Sequence, residues 1–90
     1  MKRRLVIRVY GRVQGVFFRH TARIHAAELD IAGWARNEDD GTLTITAEGD
    51  AAALETFLGW CRRGPPLAAV DRAESAWQEA TGEFKRFEII

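Results

Sequence analysis

Apolar and polar residues alternate from Leu5 to Tyr10, with Leu5, Ile7 and Val9 on one side and Val6, Arg8 and Tyr10 on the other. A period of two predicts a strand with one buried face. Gly11 and Gly15 then punctuate a loop, and the period lengthens. Phe18, Ala22, Ala26 and Leu29 share one stripe, which predicts a helix from Phe18 to about Asp30. Gly33 breaks that helix, Trp34-Ala35-Arg36 reads as a short strand, and Asn37-Glu38-Asp39-Asp40-Gly41 has the chemistry of a turn. Leu43, Ile45 and Ala47 alternate with Thr42, Thr44, Thr46 and Glu48, predicting a strand whose polar positions point outward. Asp50 is placed as the N-cap of a second helix, whose core stripe is Leu54, Phe57, Leu58 and Cys61. Arg62 and Arg63 suit the negative end of its dipole, and Gly64-Pro65-Pro66 stops it. Ala69 to Gln78 reads as a weakly alternating strand, and Phe84 to Ile90 as a short final one with Phe87 and Ile89 inward.

The order β-α-β-β-α-β, plus a short extra strand, predicts an α+β fold of the ferredoxin-like split βαβ type. Right-handed crossovers would put both helices on one face of an antiparallel sheet and leave the other face to solvent.

Composition changes this picture little. Ninety residues without a linker or repeat predict a single domain spanning 1–90. Thirteen basic and thirteen acidic side chains cancel, which counts against nucleic-acid binding, a function that leans on basic excess. Cys61 stands alone, so no internal disulfide is expected and a reducing, cytoplasmic compartment fits. No stretch reaches the roughly 18–20 apolar residues of a membrane span. The opening Met1-Lys2-Arg3-Arg4 is basic, but Arg8 interrupts the short apolar run after it, so a signal peptide is not expected.

The chemistry concentrates in Gly11-Arg12-Val13-Gln14-Gly15-Val16-Phe17-Phe18-Arg19, between the first strand and the first helix. Such a junction aims backbone N–H groups toward one spot, near the positive end of a helix dipole. Arg19, in the first helical turn, can grip a phosphate bidentately. The residues alone read as an anion cradle with an arginine clamp, or equally as a structural strand-to-helix turn. The loop lacks the Gly-Lys-Ser/Thr ending of a nucleotide P-loop and the G-x-G-x-x-G of a dinucleotide site.

The segment Tyr10 to Arg19 resembles the first signature of the acylphosphatases, and Gly33-Trp34-Ala35-Arg36-Asn37 with Gly41 and Gly49 resembles the second. Gly64-Pro65-Pro66 followed by Val70-Asp71 is similar to bacterial-type members. Leu43 departs from the usual valine, and Phe87-Glu88-Ile89-Ile90 from the basic or aromatic ending of many members. The resemblance implies a metal-free, cofactor-free hydrolase of small-molecule acyl phosphates, with no nucleic-acid or membrane partner and a monomer expected. It implies that Arg19 binds the substrate phosphate together with the backbones of Val13, Gln14, Gly15, Val16, Phe17 and Phe18. It assigns Asn37 to orienting the attacking water.

Other residues invite blander readings. His20 and His25 lack the i, i+4 spacing of a helical zinc pair and are expected as exposed helix histidines. Cys61 is expected as a small buried hydrophobe, and Glu38-Asp39-Asp40 as a solvated turn. Two rivals stand beside the hydrolase: an RNA-binding module on the same fold class, and a non-catalytic anion sensor.

Overall fold

The computed structural model describes all residues from Met1 to Ile90. It contains β1 (Lys2–Arg12), α1 (Phe18–Glu28), β2 (Ala32–Asn37), β3 (Leu43–Asp50), α2 (Ala51–Arg63), β4 (Ala69–Glu79) and β5 (Phe87–Ile89). The sheet order is β4-β1-β3-β2-β5. The first four strands pair antiparallel as the split βαβ pattern predicts, and β5 joins the edge of β2 in parallel. The sheet is therefore mixed rather than wholly antiparallel. The predicted final strand contracts from Phe84–Ile90 to Phe87–Ile89, and α1 stops at Glu28.

Leu5, Ile7 and Val9 of β1 stand opposite Ala47, Ile45 and Leu43 of β3, and all six are fully buried. The helices cover this face with Phe18, Ala22 and Ala26 from α1 and Leu54, Phe57, Leu58 and Cys61 from α2. Trp60 packs its ring on Phe18 with centroids 5.1 Å apart, and Phe57 meets Phe87 edge-on at 5.9 Å. Fully burying rings of this size contributes about 2–3 kcal/mol each. Gly33 is required in β2: a Cβ there would lie 1.9 Å from the Thr46 carbonyl oxygen. Asp50 sits at the start of α2 in extended conformation but makes no side-chain cap, turning its carboxylate to the N-terminal amine 3.4 Å away.

The opposite face is not simply left to solvent. Thr42, Thr46 and Glu48, expected to point into water, are buried. The segment after β4 folds back across this face, and the Glu48 carboxylate accepts bonds from Thr81 N–H (2.8 Å), Gly82 N–H (3.0 Å) and Arg4 Nε (2.8 Å). Elsewhere on this face Arg8 pairs with Asp40, Arg36 with Glu38 and Arg72 with Glu74. Its aromatic rings Tyr10, Trp34 and Phe84 are covered by Arg72, Arg36 and Arg4 at 3.8, 4.8 and 5.1 Å. No helix is long and apolar enough to cross a membrane.

Candidate active site

Because β3 lies between β1 and β2 and runs opposite to both, β1 and β2 point the same way. Their C-terminal ends therefore meet at one end of the sheet. Asn37 is level with Leu43 and, across β3, with Val9, so the last residue of β2 lies beside the loop that leaves β1. A register shift between Tyr10 and Gly11 in the β1–β4 pairing bends the chain into that loop.

The loop is pinned from below and open above. Val13 and Val16 are buried in the core, and Phe18 opens α1 as one of the largest buried side chains. Gly15 and Phe17 are left-handed, with φ of 72° and 66°. The first main-chain bond of α1 runs from Thr21 N–H to Phe17 O at 3.0 Å, and the N–H groups of Val13 through His20 donate to no main-chain carbonyl. These donors stand at the positive end of α1, the ordinary setting of an anion site.

A cleft of about 260 Å³ opens over these groups. Its walls include Val13, Gly15, Phe17 and Phe18 from the loop and Arg19 from the first turn of α1. Asn37, His20 and Ile89 complete it. Six of the eight residues singled out in the sequence thus line one cavity. Gln14 and Val16 do not. Val16 anchors the loop, and Gln14 uses its side chain instead, donating from Nε2 to Glu38 O at 2.7 Å and Thr42 O at 3.0 Å. That pair of bonds ties the loop to the β2–β3 hairpin carrying Asn37.

The Asn37 side-chain oxygen is buried and has no hydrogen-bond partner in the chain. An orphaned acceptor beside a polar cleft costs about 1–3 kcal/mol unless something donates to it. Cys61 lies away from the cleft, and burial pushes its thiol up. His25 departs from expectation: it is half-buried, its ring tilted against Trp60 with centroids 4.7 Å apart and 3.5 Å from Glu28. No group of three His, Cys, Asp or Glu side chains comes together as a metal site.

Sequence reasoning missed Ile89 and His20 as cleft residues and the side-chain role of Gln14. Ile89 reaches the cleft only because β5 docks parallel on β2, opposite Ala35. Nothing local to the C-terminal segment signals that neighbour.

Comparison with known proteins adds an independent line. The Acylphosphatase family model matches residues 5–89. An acylphosphatase of Methylococcus capsulatus is 46% identical over 98% of this chain and 96% of its own. One of Thermococcus kodakarensis is 48% identical over 100% and 99%. The crystal structure of acylphosphatase from Bacillus subtilis superposes with a TM-score of 0.94 at 36% identity, covering 100% of this chain and 99% of that one. The fold, the cleft at the ends of β1 and β2 and these likenesses agree: the chain belongs to the acylphosphatase family.

Proposed function

We propose that the chain hydrolyses the carboxyl-phosphate anhydride of acyl phosphates, with Arg19 and the loop amides binding the phosphoryl group and Asn37 orienting the water. The observation that carries this reading is the set of unengaged N–H groups from Val13 to His20, in the loop that walls a cleft shared with Arg19 and Asn37. In this mechanism the guanidinium of Arg19 and the amides of Val13, Gln14, Gly15, Val16, Phe17 and Phe18 hold the phosphoryl oxygens. Their fixed dipoles stabilise charge as the P–O bond to the acyl group breaks. The water donates one hydrogen to the orphaned Asn37 oxygen, which turns its lone pair toward phosphorus. Its oxygen bonds to phosphorus, the bond electrons leave with the carboxylate, and a phosphoryl oxygen takes the water's proton. The carboxylate is already a good leaving group, so no strong general acid is required.

We read the reaction as independent of metals and cofactors, in a cytoplasmic monomer without nucleic-acid partners. The ion-paired arginines of the open sheet face support the last point, since they offer little free charge to a phosphate backbone. The decisive assay is hydrolysis of benzoyl phosphate with a chelator present, in wild type and Arg19→Ala. Turnover should persist with chelator and fall on the order of 10²–10³-fold or more in the variant. Loss of activity on chelation, or an active Arg19→Ala enzyme, would refute the reading.

A further inference from the structure

We propose that a second cavity, between α1 and β5, binds a small phosphate monoester and draws Arg23 away from His20 when it fills. The inference goes beyond the hydrolase reading and does not depend on it. The cavity measures about 290 Å³ and shares no lining residue with the cleft. Arg23 of α1, Asp30 beyond its end, and Lys85 and Arg86 before β5 line it, together with the buried residues Ile31 and Phe87. Three cations against one carboxylate leave an excess of two positive charges. Unlike the arginines of the open sheet face, these groups are not neutralised in place. Arg23, Lys85 and Asp30 enter no ion pair, and Arg86 only approaches Glu88 at 3.9 Å. Opposite charges that border one cavity without closing on each other leave room for a ligand between them. The end of α1 does not call for this arrangement. His25 is the basic residue of its last turn, Arg23 lies before that turn, and Lys85 and Arg86 come from the far end of the chain. Asp30 is left-handed at φ 55°, where glycine or asparagine ordinarily ends a helix, so termination needs no carboxylate there.

A phosphate monoester carries roughly two negative charges near neutrality, which matches the excess. Two guanidinium groups can hold its oxygens in forked pairs, with the Lys85 ammonium as a third donor. Ile31 and Phe87 border the space left for the body of the ligand, and Asp30 can accept from a hydroxyl on it. The volume lies just below the usual range for small-molecule pockets, so the body must be compact. Arg23 ties this cavity to the active cleft. Its Nη2 lies 3.3 Å from Nδ1 of His20, one turn earlier on α1, and His20 lines the cleft. Arginine only donates, so that nitrogen accepts. A phosphate in the cavity competes with His20 for the Arg23 guanidinium, and the stronger, doubly charged acceptor wins. Each site then biases the other by the difference in what Arg23 gains.

The test is a residue-resolved NMR titration of the whole chain with phenyl phosphate at low salt, where exposed cations are least screened. The expected result is a second set of shifts at the amides of Asp30, Ile31 and Phe87, titrating apart from those of Gly15 to Phe18. Benzoate, with one charge, should bind there several-fold more weakly. The double variant Lys85→Ala/Arg86→Ala should weaken the second set at least about tenfold and leave the loop set in place. The exchange Lys85→Arg/Arg86→Lys should retain it, which separates loss of charge from loss of structure. His20→Ala frees Arg23 in advance and should tighten the second site several-fold. Shifts confined to the loop, equal binding by the double alanine variant, or benzoate binding as tightly as phenyl phosphate overturns the site. Unchanged affinity in His20→Ala overturns its link to the cleft. None of these readouts requires turnover, so they stand or fall apart from the hydrolase assignment.

Discussion

Arg19 and Asn37 share one cleft but should fail differently when removed. In the proposed mechanism Arg19 brings charge to a phosphoryl group present in substrate, transition state and product, so Arg19→Ala should lower kcat, raise KM and weaken inhibition by phosphate. Asn37 touches only the nucleophile in the proposed mechanism. A group of that kind contributes in the transition state and little before it. Asn37→Ala should therefore reduce kcat by roughly 10²-fold, about 3 kcal/mol, while KM and phosphate inhibition barely move. Asn37→Asp should not rescue it, because a carboxylate would face the phosphoryl oxygens. Steady-state kinetics with phosphate as competitor distinguish these patterns; a raised KM with intact kcat in Asn37→Ala would make Asn37 a binding residue.

At the scale of elements, the connection from β4 to β5 is held by a buried charge where strand alternation predicts an exposed one. Glu48 is 6% exposed. Burial alone would raise its pKa, but the Thr81 and Gly82 N–H groups, Arg4 and the Thr81 hydroxyl together hold it below the ordinary glutamate range. The carboxylate is thus more acidic folded than unfolded. Its stabilisation is complete above the ordinary glutamate value and is lost as pH falls through the lowered folded value. Glu48→Gln, leaving Arg4 without its buried partner, should cost about 3 kcal/mol near neutrality. It should also flatten the acid limb of the stability curve, measured by urea unfolding from about pH 3 to 7, the range over which carboxylates titrate. An acid limb identical to wild type would mean that other carboxylates set it. The same residue shows what alternation can and cannot convey. Thr42, Thr46 and Glu48 were legible as the face opposite Leu43, Ile45 and Ala47, because period two is local. Their burial was not, since Glu48 is covered by residues more than thirty positions away in the chain. The cleft divides along the same line. Gly15, Phe17 and Arg19 are neighbours in the chain and announced themselves, whereas Ile89 and the Gln14 side chain gained their places through packing against other segments.

Across the whole molecule, nineteen buried apolar side chains from β1, α1, β2, β3, α2, β5 and the loops form one cluster, with Cys61 fully inside it. The thiol is inert for two reasons that have one origin. Burial excludes reagent, and it also pushes the thiol pKa up, so the nucleophilic thiolate is scarce. Both helices and every strand but β4 contribute to that cluster, so Cys61 should become reachable only when the core opens as a unit. Labelling by a neutral thiol reagent should then run at least about 10³-fold slower than for an unfolded thiol, given a stability of roughly 5 kcal/mol or more. Its dependence on urea should match the slope of equilibrium unfolding. A labelling rate insensitive to urea would instead show α2 detaching locally from a folded sheet. Cys61→Ser sharpens the test. A buried hydroxyl without a partner should cost about 1–3 kcal/mol of stability. Yet kcat and KM should hold wherever the variant remains folded, because the cleft sits at the tips of β1 and β2, away from the core face of α2.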